Sequence, residues 1–460
     1  MEQFGVHLVY VAPPPDTTTF PQPERILEIV RSPPSDHEYL HWDKLRHLTP
    51  PSDLTHEEWW WAIQIGRMPT RRQLPLVDKD GRHFVFSTPD EVLRALHFVD
   101  QRCAGEIAMP AVVTADDQAR QHFLVNSLME EAIRSSQLEG ATTSRLVARE
   151  LLRTGRPPKD RSERMIVNNY RALGFIRDQI GDSLTPAHVL ELHRLITDGT
   201  LDDSRSAGRL QTPSDIRVAV YDRSDGSLVH QPPPADQLPW RLEKLCEFAN
   251  GVDDPDAAFI HPVVRSILVH FWLAYDHPFQ DGNGRTARLL FYWSMRRSGY
   301  WLTEYLSISK ILREAPAKYT RAFLLAETDG GDTTYFLIYQ LGVIRRAVDE
   351  LRKYLERKIR DVRRVEQAIR GARVYNHRQL ALLSDAVRNP DRVYTFQSHA
   401  RSHNVTVETA RTDLQELARA GLLTQSRSGR KYVYFVPDDL AARLAAPEGA
   451  AVTPAGFGED

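Results

Sequence analysis

Cysteine is nearly missing: the 460 residues hold two, Cys103 and Cys246, too few and too far apart for a disulfide framework or a cysteine-based zinc site. No apolar run approaches membrane-spanning length. The opening MEQFGVHLVYVAPPP has neither the basic start nor the sustained apolar core of a signal peptide. Charge of one sign is not in excess, since 59 Lys and Arg face 61 Asp and Glu; this argues against a globally basic nucleic-acid binder and an acidic disordered tail. No Gly-Lys pair occurs, so there is no Walker loop, and His56-Glu57-Glu58-Trp59-Trp60 lacks the second histidine of a zinc helix. These absences predict a soluble, cytoplasmic chain with no membrane partner, in which any nucleic-acid contact is local.

What is present suggests three domains. Residues 1–110 are rich in proline and tryptophan and reveal no role. Within them VDKDGRHFVFS (77–87) predicts a hairpin around Asp80-Gly81, and Trp59-Trp60-Trp61 reads as core packing. Residues 111–360 read as mostly helical. A helix is expected from about 116 to 140, where Leu124, Leu128, Ala132 and Val125, Met129, Ile133 recur at helical spacing, then over 162–180, 185–196, 239–250, 261–275 and 334–370. A strand pair interrupts them over about 214–232, alternating Ile216, Val218, Val220, turning near Asp225-Gly226 and returning through Leu228 and Val229.

Residues 371–445 read helix, helix, turn, helix, hairpin. Thr406 would cap the third helix, Val407, Ala410, Leu414 and Leu417 would be its buried side, and SRSGRKY would turn a wing. That order resembles a winged helix. Between 371 and 436, ten Lys and Arg, Arg411 and Arg430 among them, against five Asp and Glu suit DNA phosphates or a protein partner. Residues 446–460 are expected to be a flexible tail.

The densest chemistry is HPFQDGNGRTAR, residues 277–288. Gly282 and Gly284 let the backbone bring N–H groups close to an anion, and a helix resuming near Arg285 would add its N-terminal amides. Arg285 and Arg288, three apart, can both pair with phosphate oxygens. Asp281 is a hard oxygen ligand suited to Mg²⁺, and His277 suits a general base. A dinucleotide fingerprint would need a strand, not a helical run, immediately before these glycines. His193, His261 and His270 read as packing or hydrogen-bonding residues.

HPFQDGNGRTAR matches every fixed position of the Fic signature, His-x-Phe-x-Asp/Glu-Gly-Asn-Gly-Arg-x-x-Arg, and the chain resembles that family over roughly 116–345. The resemblance implies a mainly α protein: a Fic-fold helical bundle with a β-hairpin flap, an N-terminal α+β region and a C-terminal winged helix. It implies transfer of AMP from ATP to a hydroxyl side chain of a target protein, the chain itself included. His277 would be the base, Asp281 would hold Mg²⁺, and Gly282, Asn283 and Gly284 would form the anion hole. Arg285 and Arg288 would grip the outer phosphates, Phe279 would anchor the loop, and the 214–232 hairpin would align the target segment.

SSQLEG (135–140) resembles the family's inhibitory motif, Ser/Thr-x-x-x-Glu-Gly/Asn. The likeness implies that Glu139, with Ser135, occupies Arg288 and holds the enzyme off. Three alternatives stand beside this reading: AMP removal as well as transfer, a different donor such as UMP or phosphocholine, and a DNA-binding regulator that uses the core as a nucleotide sensor. A homodimer is also compatible.

Overall fold

Thr55 starts the first long helix by accepting a hydrogen bond from the Glu58 N–H, while Glu58 accepts one from the Thr55 N–H. That helix, α1 (His56–Arg67), leads into strands β1 (Arg72–Val77) and β2 (His83–Phe86) and helix α2 (Asp90–Val99). The computed structural model describes residues 10–15, 38–51, 54–104, 117–178, 181, 183–221, 228–251, 258–371, 375–389, 392–428, 431–437 and 439–445. The chain divides into two units, residues 1–107 with 124–349, and residues 108–123 with 350–460.

In the first unit the tryptophan run is core: Trp59 and Trp60 pack with Leu45 and Ile63, and Trp61 is buried beside them. The expected hairpin forms, with Val77 opposite His83 and a five-residue connection in which Gly81 takes φ 82°. Alternation puts Leu74, Leu76, Phe84 and Phe86 on the buried face. The free edge of β2 does not face water. Val85 donates its N–H to Gly331 (3.0 Å) and accepts from the Thr333 N–H (2.8 Å), a parallel bridge to a distant turn.

The helical body follows as α3 (Asp117–Leu138), α4 (Arg145–Thr154), α5 (Arg161–Asp178) and α6 (Pro186–Thr197). After a short hairpin, β3 (Val220–Tyr221) with β4 (Leu228–His230), come α7 (Leu238–Asn250), α8 (Pro262–Asp276) and α9 (Asn283–Arg297). Helices α10 (Ile308–Glu314), α11 (Pro316–Thr328) and α12 (Thr334–Gly371) complete it. Asp116, Ile180 and the Asp225-Gly226 turn lie outside the described residues. Helix α8 is apolar around its whole circumference, from Val263 to Tyr275, so it is buried on all sides and forms the centre of the unit against α9.

One expected strand is mostly absent. Residues 216–219 form no ladder pairs; Val220 and Tyr221 do, with His230 and Leu228. The Gln211 side chain takes the backbone groups that a ladder would use: its Nε2 donates to the Ile216 carbonyl (2.9 Å) and its Oε1 accepts from the Val218 N–H (3.4 Å).

The second unit contains α13 (His377–Arg388), α14 (Phe396–His403), α15 (Val407–Arg419), the antiparallel strands β5 (Thr424–Ser428) and β6 (Lys431–Phe435), and α16 (Leu440–Ala445). Thr406 caps α15 by accepting from the Thr409 N–H. Leu382, Leu383, Leu414, Leu417, Leu422, Leu423 and Tyr434 make its core. Val407, expected inside, is exposed: as the first residue of α15 it projects from the exposed end of the helix. The wing residues Gly429 and Arg430 and the 446–460 tail lie outside the described residues. Among the described residues no helix is long and apolar enough to cross a membrane.

Candidate active site

Helix α8 ends because Pro278 disfavours a right-handed helical residue before it, and His277 stops the helix in the left-handed region, at φ 45° and ψ 52°. A non-glycine residue rarely holds that conformation without surrounding support. Part of the support comes from the loop itself. Phe279 is fully buried and its backbone is clasped by Asn283, which accepts from the Phe279 N–H (2.9 Å) and donates to the Phe279 carbonyl (2.8 Å).

The Phe279 ring stacks on His193, centroids 3.8 Å apart. His193 Nδ1 accepts from the Gly208 N–H (2.9 Å), so Nε2 carries the proton and donates to the Asp281 carbonyl (2.8 Å). His193 is therefore a hydrogen-bonding residue, as expected. His261 caps α8 by accepting from the Val263 N–H, and buried His270 meets the Tyr319 hydroxyl at 2.7 Å.

The helix resumes at Asn283, with Gly282 at φ 85° as its cap and no side chain capping the free amides. A Cβ on Gly282 would press on Thr197 and Ile196, and one on Gly284 would overlap Glu139 Oε1. Both glycines thus leave room that any other residue would fill. Arg285 is fully buried, donates to the Ile196 carbonyl (3.0 Å) and leaves Nε and Nη2 without a hydrogen-bond partner. Its Nη2 lies 3.7 Å from Asp281 Oδ1, an ion pair without a hydrogen bond; buried guanidinium donors left without hydrogen bonds beside an uncapped helix N-terminus are a site for an anion.

Arg288 is buried as well and is held by the end of α3 through Nε and Nη2, while Nη1 has no hydrogen-bond partner. Its Nε donates to Ser135 Oγ (2.9 Å), and its Nη2 donates to the Ser135 carbonyl (3.1 Å) and to Glu139 Oε1 (2.8 Å). Helix α3 is held there by buried Glu131, which accepts from Ser307 Oγ (3.1 Å) and the Ser309 N–H (3.0 Å).

His277 is half-buried, and its withdrawal from water, reinforced by His230 and Arg217, depresses its pKa to about 4. The ring is therefore neutral at neutral pH, with one nitrogen able to accept a proton. His277, Glu139, Gly284, Val220, Val229 and Tyr319 border a common cavity of about 390 Å³, large enough for a small-molecule ligand.

Asp281 keeps its side chain 42% exposed, with Oδ1 accepting from the Gly282 N–H (2.5 Å) and Oδ2 lying 3.6 Å from Arg161. Among the described residues no group of three acidic, histidine or cysteine side chains gathers. A lone accessible carboxylate is what a Mg²⁺ ion shared with phosphate oxygens and water requires, so Asp281 fits that ion.

Every site residue expected from the sequence thus falls on this loop, on the first two turns of α9 or at the end of α3. Sequence reasoning missed Arg217, His230 and Glu327, which surround His277 from other segments and carry no motif.

Residues 183–295 match the Fic/DOC family. The protein adenylyltransferase fic-1 of Caenorhabditis elegans is 29% identical over 170 residues, covering 35% of this chain and 30% of that protein. The protein adenylyltransferase Fic of Nematostella vectensis is 28% identical over 174 residues, covering 36% of this chain and 37% of that protein. The chain therefore spans well under half the length of these curated relatives. Among solved structures, a Fic family protein from Desulfovibrio desulfuricans G20 aligns with a TM-score of 0.48 at 20% identity, over 76% of this chain and 97% of that one.

Proposed function

We propose that this chain, with its Fic/DOC match over residues 183–295, is a protein adenylyltransferase that transfers AMP from ATP to a Ser, Thr or Tyr hydroxyl of a target protein and is held back by Glu139. The observation that carries the reading is that His277, Gly284 and Glu139 border one cavity at the uncapped end of α9. A proton acceptor and an anion site meet there.

In the proposed reaction the free nitrogen of His277 takes the proton of the target hydroxyl as its oxygen attacks the α-phosphorus of ATP, and pyrophosphate leaves. The backbone N–H groups of Asn283 and Gly284 stabilise the charge on the phosphates, and Arg285 and Arg288 hold the outer ones. Asp281 would hold Mg²⁺, which when bound neutralises phosphate charge. Glu139 opposes this by occupying Arg288, a charge-assisted bond worth about 1.5–3 kcal/mol. Within the second unit, residues 371–445 are proposed to be a winged helix offering exposed Arg411 to a protein or nucleic-acid partner.

The test is AMP transfer from α-labelled ATP with Mg²⁺, comparing wild type, Glu139→Gly and Glu139→Gly/His277→Ala, with the protein itself and a cell lysate as acceptors. Label should appear with Glu139→Gly and vanish in the double variant. No label in any lane, with ATP still bound, would overturn adenylyl transfer in favour of another donor or a sensor role.

A further inference from the structure

A helix ends with carbonyls that have no intrahelical partner. At the end of α8 three successive carbonyls, those of Tyr275, Asp276 and His277, accept hydrogen bonds from the two legs of the 214–232 hairpin. From the first leg Arg217 donates Nη2 to the Asp276 carbonyl (2.5 Å) and Nη1 to the His277 carbonyl (2.8 Å). From the second leg His230 meets the Tyr275 carbonyl through Nε2 (2.7 Å). Each side chain is itself held. Arg217 Nε donates to the Pro233 carbonyl (2.8 Å) and its Nη1 also to Gln211 Oε1; His230 Nδ1 lies 2.7 Å from a Glu327 carboxylate oxygen.

We propose that Arg217 and His230 are positioning residues for His277: by capping α8 from both legs of the hairpin they fix the left-handed backbone of the base and the strand that faces the target as one rigid piece. Three facts carry this. His277 is one of two non-glycine residues at positive φ among those described, so its conformation needs outside support. A guanidinium at a helix C-terminus interacts favourably with the dipole as well as with the carbonyls. Finally, Arg217 bonds to both the carbonyl of the base and that of Pro233 on the opposite leg, so the hairpin cannot shift without releasing the base.

The role at His277 rests on the adenylyltransferase reading, so the test has one arm that does not. The full chain carrying Glu139→Gly is compared with the same chain carrying in addition Arg217→Gln, Arg217→Lys or Glu327→Gln. In Arg217→Gln, kcat is expected to fall about tenfold to a hundredfold, with KM for ATP changing less than about twofold. Arg217→Lys, which can still donate to one carbonyl, should recover part of the loss. Without nucleotide, amide exchange should quicken at 275–279 and 228–232 and not across α9. Glu327→Gln, which removes only the carboxylate behind His230, should quicken 228–232 alone and serves where Arg217→Gln does not fold. Unchanged exchange overturns the proposal; so does an unchanged kcat, or a loss that falls on KM for ATP. If the Glu139→Gly reference transfers no AMP, adenylyl transfer is what has failed, and the exchange arm still decides the cap in either direction.

Discussion

Glu139 Oε1 lies 2.8 Å from Arg288 Nη2 and in the space that a side chain at position 284 would need. One oxygen thus neutralises an arginine and crowds the first turn of α9. Anything anionic that uses this end of the helix must displace it.

Glu139→Gly is therefore expected to tighten Mg²⁺–ATP binding about tenfold to a hundredfold, the equivalent of one charge-assisted hydrogen bond. Titration calorimetry on wild type and variant measures it. Equal dissociation constants would mean that the ion pair does not compete with nucleotide.

Acid should stop the reaction late. The folded pKa of His277 is depressed from its ordinary 6.5 to about 4, so the ring is a neutral acceptor above that point and is lost as a base only when pH falls through it. Glu139 is one of the groups pulling the value up, so in Glu139→Gly the acid limb of kcat/KM, which reports free enzyme, should centre no higher than about 4 and be flat toward pH 7. The limb of kcat should sit higher, because bound polyphosphate favours the protonated ring. A midpoint near 6.5 in kcat/KM would show that His277 is in water.

Asn283→Ala should act as a stability lesion. Its side chain satisfies both backbone groups of Phe279 in a buried loop, and their loss should lower stability by about 2–4 kcal/mol. The melting temperature and kcat should fall together. An intact melting temperature with lost activity would instead assign the Asn283 side chain to the substrate.

In the second unit, buried Asp413 receives Arg378 through both oxygens (2.7 and 3.0 Å), Asn376 (2.8 Å) and His399 (3.1 Å). Asp413→Ala strands these donors and should destabilise α13–α15 by about 3–5 kcal/mol. Amide exchange across 377–419 should report it, and protection equal to wild type would show that the apolar core suffices.

The catalytic loop was readable in the sequence because its chemistry is contiguous: a base, a carboxylate, two glycines and two arginines fall within twelve residues. Glu139 was readable because it sits in a motif of its own. Arg217, His230 and Glu327 were not, since they lie tens of residues from the base and an Arg or His on a hairpin is ordinary. The strand expected over Ile216–Val218 failed for a related reason: alternation reports an extended chain, and nothing local shows that Gln211 will take its backbone groups. The tryptophan run was legible as core from its apolarity. The core it joins is built with Leu45 and Ile63 from neighbouring segments.

Val85, finally, ties the N-terminal hairpin to Gly331 and Thr333, and Phe84 packs so closely on Gly331 that a Cβ there would meet its ring at 3.1 Å. The turn so gripped joins α11 to α12, and α11 supplies Tyr319, Thr320 and Phe323 to the cavity wall. Expression of residues 183–295 alone would keep every motif residue from His277 to Arg288 and discard one wall of the cavity, both clamps on that wall and the glutamate that opposes Arg288. The smallest piece able to behave like the whole is set by these crossings between distant segments, and it must reach back through the hairpin that begins at Arg72 and forward past Thr334.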